Sequence, residues 1–397
     1  MFVLAFLLAG IILCLGFLGD YLFRRTNIPD VLILIFLGFL IGPIFKIIDP
    51  TVLAPITQLF ASLALLIILF DSGLHLNLFK TLQDSPIAVL LAFLGEFISM
   101  ILIALFTMFM FNWDLTNGLL LGAIIGGTSS AIVIPLVSRM EINGKISRIL
   151  SLESVFTDAI VVVVGITLLQ LVTATQTENE LSMIASGIAS QFSVGIVVGI
   201  ILGIIWLRIL RAIKGSLYDD VLTLGILLLF YSIVESLKGS GAIFALTFGL
   251  VLTNGRLIYK MLRMKKPAEA SKIMKKFHSQ ISFLIRTFFF VYLGLIISFQ
   301  NIYLIFYGVI LTLILLFGRL LTVLIASIKN PLLKENRKIL TIIFPRGLAA
   351  AILAQMIVSS NAPNAILYPD LVITVIIGSV LISSIGSSLI KSNLKRG

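Results

Sequence analysis

The sequence predicts an all-α polytopic membrane protein of about thirteen transmembrane helices, and three observations carry that expectation. Hydrophobic residues make up 59% of the chain and charged ones only 12%, with a mean hydropathy of +1.16. A soluble domain cannot keep so apolar a composition in water, so lipid is the solvent. The apolar residues also fall into runs of spanning length parted by short polar breaks. Finally, Lys and Arg gather in every second break, so the formal charge of +11 reports topology and not a nucleic-acid partner.

Taken in order, the polar breaks predict spans near 2–19, 31–48, 53–72, 86–112, 117–138, 147–170, 182–208, 220–237, 241–255, 280–299, 301–327, 338–359 and 370–390. The first run lacks a basic leader and a small-residue cleavage site, so it reads as a retained span and not a secretion signal. Lone Cys14 lies within it and builds neither a disulfide framework nor a metal cluster. One alternate set of loops holds Arg24, Arg25, Lys80, Arg139, Lys145, Arg148, Arg208, Arg211, Lys214, the segment Arg256 to Lys276, Lys329 to Lys338 and the tail from Lys391. The other set holds Asp49, Asp114, Glu178, Glu180, Lys238 and Asp370. The positive-inside rule puts the first set in the cytoplasm, with the N-terminus outside and the C-terminus inside a cell (inner) membrane. His75 and His278 fall near cytoplasmic loops and are expected to be solvated.

Two spans are interrupted. The fifth carries Gly126-Gly127-Thr128-Ser129-Ser130 in its middle, and the twelfth carries Phe344-Pro345-Arg346-Gly347, where proline removes a backbone donor. Paired interruptions in corresponding positions of two halves point to a midplane site in a secondary transporter. Their separation by seven spans predicts halves repeating with inverted topology, because an odd shift reverses direction across the bilayer. Opened carbonyls can replace a cation's water shell, and half-helix termini add partial charges.

The sixth span carries Leu152-Glu153-Ser154-Val155-Phe156-Thr157-Asp158. A charge in a spanning helix is costly, so it must face protein, find a partner or line a wet path. Ser154 and Asp158 are i, i+4 and share a face, whereas Glu153 lies five residues from Asp158, roughly 140° around the axis. Asp158 with Ser154 suits an oxygen-rich site that takes either a cation or a proton, and Glu153 suits a structural ion pair with Arg319. Arg286 and Arg346 also lie within spans and need partners. Glu96, Glu235 and Asp71 are left without an assigned partner, Asp71 at a polar boundary where it suits a gate, an acid backing the site or an exposed helix end.

Several of these motifs together resemble the monovalent cation:proton antiporter superfamily, above all its NhaP-type and Na+/H+ exchanger branch, over essentially the whole chain. Asn27-Ile28-Pro29 with Leu37-Gly38 and Ile41-Gly42-Pro43 looks like that family's second-span signature, and Leu69-Phe70-Asp71-Ser72-Gly73-Leu74 its third-span end. Glu153-Ser154-x-x-Thr157-Asp158 is similar to its Glu-Ser-x-x-Asn-Asp, Gly318-Arg319 to its eleventh-span arginine, and Arg346-Gly347 to its interrupted twelfth span. The resemblance implies a NhaA/NapA-like antiporter fold with two crossing interrupted helices. It implies Asp158 as the ion- and proton-binding carboxylate, with Thr157, Ser154, Thr128 and Ser129 around the ion, and Na+ or K+ held by Asp158, Ser154 and Thr128. It further implies a Glu153–Arg319 ion pair, electrostatic or gating roles for Arg346, Asp71 and Arg286, and no cofactor beyond the transported ions.

The implied organisation is a homodimer. Scaffold helices 1–3 fall in 1–72 and scaffold helices 8–10 in 220–299, transport-domain helices 4–6 in 86–170 and 11–13 in 301–390, a linking helix in 182–208 and a cytoplasmic tail in 391–397. Two departures stand out. The family's Asn-Asp is Thr157-Asp158, and the Thr-Asp-Pro of its fifth span is Thr128-Ser129-Ser130, closer to the serine-rich breaks of Kef-like and NapA-like relatives. With a single titrating carboxylate, the simplest cycle is electroneutral, one cation against one proton. Three other readings fit less of the chain. A Kef-like potassium efflux protein usually adds a cytoplasmic nucleotide-binding domain, an intramembrane protease needs paired aspartates in motifs absent here, and an organic-anion symporter would share only the scaffold.

Overall fold

The computed structural model describes residues 2–26, 29–48, 54–76, 78–140, 142–173, 180–213, 218–261, 269–297, 302–360 and 362–394. Asn27, Ile28, Asp49, Glu178, Lys214, Lys265, Lys266, Lys395 and Arg396, which entered the sequence reading, lie outside the described residues. Every element among the described residues is helical. In chain order these are α1 (Phe2–Thr26), α2 (Asp30–Phe39) extended by a turn of π-helix (Leu40–Ile44), α3 (Ala54–His75), α4 (Leu78–Phe111), α5 (Leu115–Gly126), α6 (Ser130–Ser138), α7 (Gly144–Thr173) and α8 (Glu180–Ala212). They continue with α9 (Asp219–Ser236), α10 (Gly241–Thr253), α11 (Gly255–Met261), α12 (Lys272–Leu295), α13 (Ile302–Ala326), α14 (Pro331–Glu335), α15 (Arg337–Ile342), α16 (Leu348–Ser359) and α17 (Leu367–Leu394).

The all-α polytopic class is as the sequence predicts. By length and apolarity, six helical stretches among the described residues qualify as membrane spans: Pro86–Phe111, Leu115–Ser138, Gly144–Thr173, Ala189–Ala212, Tyr303–Ala326 and Leu367–Ile390. A seventh is added if α10 and α11, bent by 79° at their junction, count as one. Further apolar stretches lie in α1 (Ala9–Phe23), α2 with its π turn (Asp30–Ile44), α3 (Leu59–His75) and α16 (Leu348–Ser359), so the stretches that qualify do not by themselves supply the count of thirteen.

The chain divides into two compact units. One holds residues 1–61, 84–175 and 287–397, and the other residues 62–83 and 176–286. In the first, α7 packs against α5, α6 and α16, and α17 against α13, α15 and α16. Close helix approach there depends on small residues: a side chain at Gly122 on α5 would run into the backbone of Met100 on α4. Helix α4 shows why some polar residues turn inward. Leu90, Phe93, Phe97, Ile101 and Leu105 are exposed, as suits a lipid-facing stripe, while Ala92, Glu96, Ser99, Ile103 and Thr107 line the buried face at helical spacing. In the second unit α8 packs along α10.

One expectation is corrected in the second unit. His278 is buried at 0% exposure and not solvated, because it lies within α12 with its ring edge-on to Phe70 at 4.9 Å and to Phe277 at 5.2 Å. His75 does reach solvent, and its Nδ1 donates to the Asp71 carbonyl at 2.8 Å.

Candidate functional site at two broken helices

Helix α5 stops at Gly126 and α6 starts at Ser130, which breaks the ladder of amides bonded one turn back. Three amides at the break donate to acceptors outside the broken helix. Thr128 N–H donates to Thr157 Oγ1 at 3.1 Å, Ser129 N–H to the Pro345 carbonyl at 2.8 Å, and Ser130 N–H to Asp158 Oδ2 at 3.0 Å. The Ser130 hydroxyl donates to the same carboxylate oxygen at 2.5 Å. Asp158 therefore sits at the N-terminus of α6, where the helix's partial positive charge favours an anion. The Gly126 carbonyl, which Ser130 would have satisfied in a continuous helix, accepts from the Arg346 guanidinium instead.

The second break, between α15 and α16, is resolved in the same manner. Phe344 N–H donates to Ser383 Oγ at 3.2 Å, and Arg346 N–H to Ser379 Oγ at 2.9 Å, both serines on α17. The carbonyls thereby released are also taken: Ser383 donates to Ile342 at 3.0 Å, and Arg319 Nε to Leu340 at 2.7 Å. The Ser129–Pro345 hydrogen bond joins the breaks, and any side chain at Gly347 would collide with that of Ser129. The two interrupted helices cross at their openings.

Arg319 completes its bonding on Glu153. Nη1 pairs with Oε1, and Nη2 donates to Oε2 at 2.9 Å, giving a bidentate ion pair buried on both sides. Thr157 is clasped as well, its hydroxyl reaching the carbonyls of Thr128 at 2.9 Å and Ser154 at 3.0 Å and the Thr128 hydroxyl at 3.1 Å. The structure thus brings together Thr128 with Thr157, Glu153 with Arg319, and Asp158 with Ser130. It does not bring Ser154 to Asp158: the Ser154 hydroxyl donates to the Ser151 carbonyl at 2.9 Å. Ser129 Oγ is buried without a hydrogen-bond partner among the described residues. Asp71 and Arg286 belong to the other unit, where Asp71 Oδ1 accepts from Ser279 at 2.8 Å and lies 3.4 Å from His75.

Ser130, Ser379 and Ser383 carry roles that the sequence reading did not assign. Ser130 was within reach as the first residue after the break, and Ser379 and Ser383 stand at i, i+4 on one face of the last helix. Glu96 also reaches this region. A cavity of about 10 Å³ is lined by Glu96, Gly126, Thr128, Thr157, Arg319 and Arg346, among others. Of the polar groups named at the two breaks, Asp158 keeps the largest exposure, 7%. Its Oδ1 has no hydrogen bond, and Asp158 has no ion pair, among the described residues. Its charge is therefore not engaged in a salt bridge that would have to break before another positive partner approached.

A family model described as sodium/hydrogen exchanger, transmembrane, matches residues 8–392. The chain belongs to that family. Within the sodium/hydrogen exchanger family, it is 26% identical over 397 aligned residues to the K(+)/H(+) antiporter NhaP2 of Shewanella baltica, covering 97% of this chain and 65% of that protein. The chain thus spans about 65% of the length of this relative. It is 27% identical to the probable Na(+)/H(+) antiporter 2 of Methanocaldococcus jannaschii over 84% of this chain and 80% of that protein. Its fold is similar to the structure of the sodium proton antiporter MjNhaP1 from the same archaeon at pH 8. That match has a TM-score of 0.80 at 24% identity and covers 98% of this chain and 97% of the other.

Proposed function

We propose that this chain exchanges a monovalent cation, Na+ or K+, for a proton across a cell membrane, electroneutrally, with cation and proton competing for Asp158. The observation that carries the reading is the environment of Asp158: a carboxylate at the mouth of a broken helix, held by one serine and by no guanidinium. Relatives named for K+/H+ and for Na+/H+ antiport support both cations. Thr128, Thr157 and Ser130 offer hydroxyl and carbonyl oxygens beside it, the donor type that hard monovalent ions accept. Ser129 adds a hydroxyl across the break, and Ser154 shapes the helix turn beneath the site.

In the cycle we infer, a bare Asp158 carboxylate is penalised by the low-dielectric barrier. Crossing therefore requires a bound cation or a bound proton, and leak is suppressed. Glu153 and Arg319 keep α7, α13 and α15 together during that movement, and Arg346 sets the potential at the crossing. Helices of the fourth to sixth and eleventh to thirteenth spans carry the site, the first to third and eighth to tenth spans support a homodimer in the inner membrane with the seventh as a link, and the C-terminus is cytoplasmic. Asp71 and Arg286 act as gate elements at the cytoplasmic end.

The test is proton movement in proteoliposomes, followed with a pH-sensitive dye while Na+, K+ and Li+ are added in turn. A pH change with at least one of them, and none with a large organic cation, is expected. An imposed membrane potential should leave the rate nearly unchanged. Silence with all three cations would overturn the reading, and a steep voltage dependence would overturn its one-for-one stoichiometry.

A further inference from the structure

One charged group close to the breaks has no place in the cycle above. Glu96 on α4 is 3% exposed, and both of its carboxylate oxygens are buried without a hydrogen-bond partner among the described residues. Gly126 is what lets it approach the fifth-span opening, since an added Cβ there would lie 2.7 Å from Glu96 Oε2. The cavity that Glu96 lines also meets Arg319, Glu153 and Arg346. Arg319 and Glu153 satisfy one another, and Thr128 and Thr157 are bonded together. Arg346 donates through Nη1 to Gly126, but its Nε is buried with no acceptor. Among the charged residues lining this cavity, Glu96 and Arg346 alone are left with unmet groups.

A space of about 10 Å³ admits roughly one water molecule. Two guanidinium groups on its wall argue against a metal cation inside it. A protonated Glu96 would strand the Arg346 charge, which does not titrate away under ordinary conditions. We propose that Glu96 is the ionised counter-charge of Arg346, linked to it through one water in this cavity, and that the pair sets the cation affinity of Asp158 as a positioning interaction. This rests on the antiport reading for its consequence. With Glu153–Arg319 and Glu96–Arg346 each neutral, Asp158 is the one net charge at the crossing, and loading it with one cation or one proton makes the assembly neutral. Arg346 is tied to Gly126, one turn before the amide that holds Asp158, so an unbalanced Arg346 would repel a cation arriving there.

The experiment is a double-mutant cycle on the full chain, read by transport in proteoliposomes and by melting in detergent. Glu96→Gln should raise the KM for the cation about ten-fold with a smaller change in kcat. Glu96→Asp, which keeps the charge, should stay within about three-fold of wild type. Adding Arg346→Gln to Glu96→Gln should bring KM back toward the wild-type value, though with slower turnover, and should recover part of the lost melting temperature. An unchanged KM in Glu96→Gln, or losses that simply add in the double variant, would overturn the pair. If Glu96→Gln does not fold, rescue of folded protein by the second substitution supports the pair, and continued failure overturns it. A wild-type protein silent with every cation, but showing coupling in the melting cycle, would fail the antiport reading and leave the pair standing.

Discussion

Helix α7 carries two buried carboxylates five residues apart, and their surroundings differ completely. Glu153 has each oxygen engaged by a guanidinium nitrogen of Arg319, itself fixed by the Leu340 carbonyl. Asp158 has one oxygen held by the amide and hydroxyl of Ser130 and the other without a hydrogen bond among the described residues. Burial is similar, 1% against 7% exposure, so depth does not separate them. The partner does. A bidentate guanidinium makes a carboxylate part of the framework, since exchanging it for a mobile ion would leave a buried arginine unpaired. A serine and a helix N-terminus favour the anion without neutralising it, and the proposed exchange needs such a carboxylate, whose charge a cation or a proton would cancel.

The sharpest way to break this contrast is substitution at each carboxylate. Asp158→Asn should abolish cation-driven proton movement in proteoliposomes while the protein still elutes as a folded species on size exclusion. Exchange that persists would remove Asp158 from the centre of the account. Glu153→Gln should do the opposite kind of damage, lowering stability by about 3–5 kcal/mol through the stranded Arg319, seen as a large fall in melting temperature. Replacing both Glu153 and Arg319 by residues of similar volume without charge should cost less than either single change, and strict additivity would deny the coupling.

Smaller effects sharpen the description of Asp158 itself. Ser130→Ala removes the hydroxyl but keeps the amide, so the cation KM should change by about ten-fold, the scale of one hydrogen bond to a charged group. Ser154→Ala removes a hydroxyl that serves its own helix, and its KM should stay within about three-fold of wild type. A larger effect at Ser154 than at Ser130 would reverse this part of the geometry.

How far these features can be read from the sequence depends on whether their partners are local. The helical class follows from apolar runs and the loop charge, and the two openings from Gly126-Gly127 and Pro345-Arg346-Gly347, because glycine and proline act on the backbone where they stand. Helix length does not by itself yield the number of crossings, as α2 and α16 are short. Ser154 was the natural neighbour of Asp158 by helical spacing, yet the freed amide at the break makes Ser130 the actual one. Glu96 could not be assigned because what surrounds it comes from α5, α7, α13 and the second break, none of them near in sequence. His278 is buried for a similar reason: Phe70, distant along the chain, covers it.

Competition at Asp158 is tested most directly by counting protons when a cation binds. Purified protein in weakly buffered detergent solution is titrated with Na+ or K+ while released protons are recorded, at a pH where the resting carboxyl is protonated. The account predicts a release approaching one proton per bound cation for wild type and none for Asp158→Asn. Cation binding with no proton release, or the same release from the Asp158→Asn protein, would contradict it.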